Sequence, residues 1–363
     1  MTSSIGKMFV VSSFGESHGK CVGIVIDGCP AGLVFTENDI QDEVDRRRPK
    51  LESGSTTRTE EDKVEILSGL FSGITTGAPI TMIIQNKNTD SSEYEKVRFL
   101  PRPGHADFTA FTKYGGYNDY RGGGRFSGRI TAGFVMAGAV AKILLKKADV
   151  EIIAHTVQIG NIKSGHISID DIKNNSENNP LHCADIKASS EMIELIQKTK
   201  EEGNSVGGII EALALNVPIG LGEPVFDTLE GDIAKAMFAI PAVKGIEFGS
   251  GFSSAEKKGT ENNDPFDIYD NRIITKSNNA GGILGGISNG MPIVLRVAIK
   301  PTPSISKSQN SIDMQRLTRA KLSIKGRHDG CIVPRAVPVV ESMVAIVLAD
   351  FALRAGIITG VIK

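Results

Sequence analysis

Residues Ile130–Lys147 read ITAGFVMAGAVAKILLKK, a stretch of helical length with no proline and almost no polar face. A surface helix shows one apolar stripe and one polar side, whereas a helix apolar all round must be buried between layers. Val337–Arg354, VPVVESMVAIVLADFALR, has the same character with Glu341 and Asp350 set into it. Two buried helices imply layers on both sides.

The strand candidates are Val22–Asp27, Val64–Leu67, Ile80–Ile84, Ile152–Val157, Gly208–Val217 and Ile293–Ile299. Several are joined by loops and not helices, which favours antiparallel α+β over regular βαβ winding. A further helix opens after Thr36, its capping residue, with Asp39 three positions on, carries Ile40 and Val44 on one face, and ends near Arg48 before Pro49. Ser190–Glu202 is amphipathic and stops at Gly203. Asn174–Asn179 and Glu256–Asp264 are polar and read as exposed loops. No repeat or linker divides the chain, so residues 1–363 are expected to form one domain.

With 363 residues, 40% of them hydrophobic, the chain can bury a large core. A net charge of −1 argues against general nucleic-acid binding, and any anion site must be local. Cys21, Cys29, Cys183 and Cys331 have no metal-ligand spacing and read as reduced thiols, so no metal is expected. The N-terminus lacks a signal-peptide apolar core, and Glu341 and Asp350 break the best stretch of the roughly 18 apolar residues a membrane span needs. A cytoplasmic location is expected.

Forty glycines cluster in GESHG (Gly15–Gly19), RPGHAD (Arg102–Asp107), DYRGGGRFSGR (Asp119–Arg129) and NNAGGILGG (Asn278–Gly286). Glycine lets backbone N–H groups approach a phosphate or ring closely, although a single such cluster is more often a tight turn. Arginines lie in or beside these loops: Arg46, Arg47, Arg48, Arg58, Arg102, Arg121, Arg125, Arg129, Arg327 and Arg335. Their planar forks match carboxylate and phosphate, so a small polyanion would suit them, while Asp42, Glu43 and Asp45 offer Arg46–Arg48 a salt-bridge role instead. His18 beside Ser17, His105 near Asp107, and His328 beside Asp329 are acid–base candidates. There is no P-loop, zincin or nucleophile-elbow motif, and AGGILG does not follow a strand as a dinucleotide loop must.

Together FGESHG, DRRRP (Asp45–Pro49), RPGHAD, DYRGGGRFSGR, PAVKGIEFG (Pro241–Gly249), SNNAGGILGGISNG (Ser277–Gly290), KPTPS (Lys300–Ser304), GRHD (Gly326–Asp329) and RAVPVVES (Arg335–Ser342) resemble the chorismate synthases, in the family's order and over essentially the whole chain. The resemblance implies a lyase of aromatic amino acid biosynthesis that performs a metal-free anti-1,4-elimination on 5-enolpyruvylshikimate 3-phosphate, giving chorismate and phosphate. It also implies reduced FMN as cofactor, NADPH only as a flavin reductant with a separate flavin reductase favoured, a homotetramer, and a β-α-β sandwich of antiparallel sheets around central helices.

By the same resemblance His18, His105, Asp329, Ser17 and Ser127 are catalytic, and Arg47, Arg102, Arg129 and Arg335 bind the substrate anions. Arg125, Phe126, Ser127, Pro241, Ala242, Gly285, Lys300, Pro301, Thr302, Pro303, Ser304 and Arg327 contact the flavin. The chain departs from the family pattern at Phe126-Ser127-Gly128, Ile130 and Pro241, and at Ser53, where many members place an arginine that Arg58 could replace. The rival readings are another flavoenzyme acting on a phosphorylated anion, and a non-catalytic anion- or RNA-binding protein. Few aromatics and no tryptophan count against RNA.

Overall fold

In the computed structural model, which describes residues 3–48, 62–87, 90–324 and 329–363, both apolar stretches are central helices. Thr131–Leu145 and Val333–Arg354 pack along each other, the first also against one five-stranded sheet and the second against another. The first sheet runs Ser4–Ile5, Val10–Gly15, Cys21–Asp27, Ile80–Gln85, Val64–Ser68, and the second Val243–Phe248, Ile293–Ile299, Gly208–Leu215, Glu151–Ile159, Ile162–Lys163. Every neighbouring pair in both is antiparallel. The expected α+β sandwich is therefore present.

Sequence patterns explain the layering. All residues from Thr131 to Ala141 are buried, as a helix without a polar side requires. Ile293, Leu295, Val297 and Ile299 are buried while Val294, Arg296 and Ala298 are partly exposed, the period-two pattern of a strand with one core face. Full burial of each such side chain contributes about 1.5–3 kcal/mol. The helices approach closely because Gly138 has no side chain: a Cβ there would stand 2.2 Å from Cβ of Ser342.

The two acids set into the second helix are both buried and both held. Asp350 Oδ1 accepts the backbone N–H groups of Lys7, Met8 and Phe9 at 2.7, 2.6 and 2.9 Å, tying the start of the chain to its last helix. Glu341 bonds to neighbouring elements and returns below. By length and composition both central helices could cross a bilayer, but 78% and 100% of their apolar windows are buried inside the protein.

Several boundaries differ from the sequence expectation. The second central helix begins at Val333, because Pro334 sits in the first turn, where no N–H is needed. The Ser190 helix begins at Ile186, capped by Asp185 on Ala188 N–H at 3.0 Å. Asn174–Asn179 is not all exposed loop: it contains the end of a Ser168-capped helix, Ile169–Asn175, and buried Ser176. Glu256–Asp264 holds a short helix, Gly259–Asn262. The Thr36 helix runs Glu37–Arg46 with the reciprocal Thr36–Asp39 capping bonds in place.

Candidate active site

The site is built from turns at the strand ends. The GESHG turn joins Val10–Gly15 to Cys21–Asp27, and Asn86 Nδ2 pins it by donating to the carbonyls of Glu16 and Gly19, both at 3.0 Å. His18, only 8% exposed, stands 2.9 Å through Nδ1 from Ser91 Oγ and edge-on to the Tyr94 ring. The glycines of DYRGGGRF then pass between the two histidines. Gly122 has φ +59, and a Cβ on it would lie 2.2 Å from His18 Cδ2 and 2.8 Å from Ser17 Oγ. A Cβ on Gly123 would lie 3.2 Å from His105 Nε2. Glycine is thus required there by the side chains it touches.

His105 is held by its own loop. Its Nδ1 is 2.6 Å from Asp107 Oδ1, an arrangement that makes Nδ1 the N–H donor and leaves Nε2 on the Gly123 side. Burial works to raise the Asp107 carboxyl, but the hydrogen bonds and charges of Arg102 and His105 hold it well below the usual carboxylate range. Arg102 donates from Nε and Nη2 to Asp107 at 2.7 and 2.8 Å and from Nη1 to Ser304 Oγ at 3.1 Å. Much of its fork is therefore engaged within the protein, joining RPGHAD to KPTPS. Lys300 strengthens that junction by donating to the Gly104 carbonyl.

The three arginines of DRRRP divide their work. Arg48 pairs with Asp45 at 3.0 Å near the surface. Arg46 turns towards Glu43, Glu177 and Glu341. Arg47 alone points into the site, donating from Nε to Thr131 Oγ1 at 3.0 Å and from Nη2 to the Gly128 carbonyl at 2.8 Å. Around it stand Arg129, which donates to Asp62 and to Asn86 Oδ1, and Arg335, which donates to Asp329 Oδ2 at 2.7 Å.

Burial first, with Arg335 and Arg129 adding to it against Asp62 and Asp329, pushes Arg47 down to about 9. Arginine keeps its proton in proteins, so the depression registers how fully this guanidinium is taken from water, with Asp62, 3.7 Å away, and Asp329 offsetting that only in part. Among the described residues, three arginines and two aspartates meet here.

Arg125 pins the glycine loop, donating to the Gly15 and Ser13 carbonyls at 3.0 and 3.2 Å. Phe126 lines a small cavity with Tyr94, Arg102, His105 and Gly123. Ser127 Oγ accepts from Arg129 N–H at 3.3 Å. Pro241 and Ala242 meet the KPTPS turn, where Lys300 N–H donates to the Ala242 carbonyl at 2.9 Å, and Thr302 Oγ1 donates to the Asp329 carbonyl at 3.2 Å. Burial, and then neighbouring Lys244, lower Lys300.

Gly285 lies in the turn between Ile283–Leu284 and Ile287–Ser288, at φ +61, where a Cβ would meet nothing within 4 Å. Arg327, His328, Ser53 and Arg58 lie outside the described residues. Asp62, Asn86, Ser91 and Tyr94 join the site without a sequence signal that singles them out. No group of three or more His, Cys, Asp or Glu that could hold a metal occurs among the described residues.

Comparison with known proteins finds relatives along the whole chain. The family model described as chorismate synthase matches residues 9–353. A chorismate synthase from Dehalococcoides mccartyi is 59% identical over 363 residues, covering 100% of both chains. One from Korarchaeum cryptofilum is 53% identical, covering 96% of this chain and 97% of its own. A crystal structure of a chorismate synthase superimposes with a TM-score of 0.76 at 32% identity, covering 97% of this chain and 93% of the other.

Proposed function

The chain belongs to the chorismate synthase family, and on that premise we propose how its residues perform the family's reaction. That reaction is the anti-1,4-elimination of the 3-phosphate and a C6 hydrogen from 5-enolpyruvylshikimate 3-phosphate, giving chorismate and phosphate. The substrate carries two carboxylates and a phosphate of about −1.5 to −2 charge. The observation that carries the assignment is the convergence of Arg47, Arg129 and Arg335 at one buried place, where their planar forks suit such a polyanion. Cations already in place where phosphate leaves also stabilise the departing charge without reorganisation.

The protons are assigned to the two histidines flanking the glycine loop. His18 is oriented through Nδ1 by Ser91 and serves the leaving phosphate, with Ser17 beside it. His105, fixed through Nδ1 by Asp107, offers Nε2 as the atom that accepts and returns a proton. Asp329, steered by Arg335, assists removal of the C6 proton, and Ser127 is proposed to relay protons. Arg102 is proposed to reach the substrate with what remains of its fork.

The donor set fits a phosphorylated planar cofactor. Lys300 and Lys244 offer a phosphate site, and the Phe126 ring and the backbone of Pro241 and Ala242 offer faces for a ring. Reduced FMN, when bound, supplies the electron-rich partner that the elimination requires although substrate and product are at the same oxidation level. Arg125, Phe126, Ser127, Pro241, Ala242 and Lys300–Ser304 would hold it. Gly285 is proposed to join them.

Flavin reduction by a separate reductase, with NADPH serving only as reductant, a homotetramer, and a cytoplasmic location complete the proposal. The full-length likeness to biosynthetic enzymes of bacteria and archaea supports it. A single domain is supported by one buried cluster that includes residues of both sheets and both central helices.

Arg335→Lys tests the anion assignment, because lysine keeps the charge and loses the fork. Titration with 5-enolpyruvylshikimate 3-phosphate should show affinity about tenfold weaker, with FMN affinity unchanged. Unchanged substrate affinity would contradict it.

A further inference from the structure

The side of the Glu37–Arg46 helix that faces away from the substrate site carries a buried ionic knot. Glu341, 2% exposed, accepts from Arg46 at Oε1 and Oε2, at 2.9 and 2.6 Å, from Lys142 Nζ at 2.6 Å and from Ala154 N–H at 2.9 Å. Four bonds fill the acceptor capacity of one carboxylate. They come from the Glu37–Arg46 helix, the first central helix and the strand Glu151–Ile159 to a carboxylate on the second central helix, so the knot joins four elements at one point.

Arg46 is further held by Glu177 at 2.6 and 3.0 Å and by Glu43 at 2.7 Å. Burial opposes ionisation of Glu341, and the charges of Lys142 and Arg46 and their hydrogen bonds outweigh it.

Arg46 is the last residue of its helix, and Arg47, the next residue, is the cap whose guanidinium enters the anion site. Successive helical residues point about 100° apart. A fork-to-fork contact at Arg46 therefore fixes the rotation of the last turn, and with it the direction in which Arg47 leaves. The helix is only ten residues long, and its end would otherwise fray. Glu177 and Glu341 each take the fork with both oxygens, but Glu177 is exposed, whereas Glu341 is buried and tied to the packed elements around it, and so is the fixed point that adds orientation.

We propose that the Arg46–Glu341 ion pair is a positioning device that aims Arg47 at the substrate's anionic groups. The proposal rests on the reading of Arg47 as a substrate ligand. Neither residue touches substrate, and their effect passes through Arg47.

The test is a binding cycle on the full-length protein, titrating 5-enolpyruvylshikimate 3-phosphate in the presence of oxidised FMN so that no turnover intervenes. Arg46→Lys keeps the charge but loses the fork, and should weaken substrate binding about tenfold while FMN affinity stays within twofold. Arg47→Lys should weaken it at least as much. The double variant should bind no worse than Arg47→Lys alone, because coupled residues are not additive.

Additive losses, or equal losses for substrate and flavin, would overturn the positioning role and leave Arg47's own role standing. No effect of Arg47→Lys would instead overturn the reading of Arg47, and the proposal with it. If Arg46→Lys does not fold, Glu177→Gln, which loosens the same guanidinium from its exposed side, should show a two- to threefold loss of the same selectivity. An unselective or absent effect there would count against the proposal.

Discussion

Asp107 lies 2.6 Å from Nδ1 of His105, and the same carboxylate receives two N–H groups of the Arg102 fork. One acid thereby sets both the tautomer of a histidine and the direction of an arginine.

Asp107→Asn should lower kcat by on the order of 10²-fold, because the amide no longer dictates which ring nitrogen carries the proton. Its pH signature has a definite sign. The folded-state pKa of Asp107 lies below its unfolded value, so its stabilisation is present above the unfolded value of about 4 and is lost as pH falls through the folded one. Chemical unfolding of the wild type at a series of acid pH values should therefore show a decline below about pH 4 that is shallower in Asp107→Asn. Identical slopes would show that Asp107 is not stabilised by these partners.

Gly122→Ala should abolish most activity while the chain stays folded. The added Cβ meets the His18 ring at 2.2 Å in a left-handed turn, φ +59, so His18 must move. A loss of about 10²-fold or more in kcat with the circular dichroism spectrum retained is expected. Gly356→Ala, equally left-handed at φ +68 but with nothing within 4 Å of its Cβ, is the control and should lose far less.

Asp350→Ala should cost stability and not chemistry. Three backbone N–H groups lose a buried charged acceptor, an effect of about 3 kcal/mol in urea unfolding. The variant's kcat at a temperature where it remains folded should match the wild type. A large drop in kcat would mean that the N-terminal segment shapes the site directly.

The layering was legible because Thr131–Leu145 has no polar face and Ile293–Ile299 alternates strictly, patterns that constrain burial locally. Strand order was not, since pairing such as Cys21–Asp27 with Ile80–Gln85 depends on contacts far apart in the chain. The short helix Ile169–Asn175 escaped because its Asn-rich end resembles a turn, and Ser168 declares itself as a cap only once the backbone is known.

At the site, His18 and His105 stood out by residue type and glycine setting, while Arg47 was singled out by the family resemblance alone. The division of labour among Arg46, Arg47 and Arg48 did not, because three adjacent arginines look alike until the helix end fixes their directions. Asn86 and Asp62 carried no signal at all: each matters through a partner distant in sequence, Arg129.

The central claim is that these residues eliminate phosphate from a bound polyanion with reduced flavin present. The most direct measurement is anaerobic incubation of the purified protein with 5-enolpyruvylshikimate 3-phosphate and FMN reduced by dithionite, following chorismate and phosphate together. Equal release of the two products, dependent on reduced flavin, is the result predicted. Absence of chorismate from folded protein, or phosphate released without it, would contradict the account.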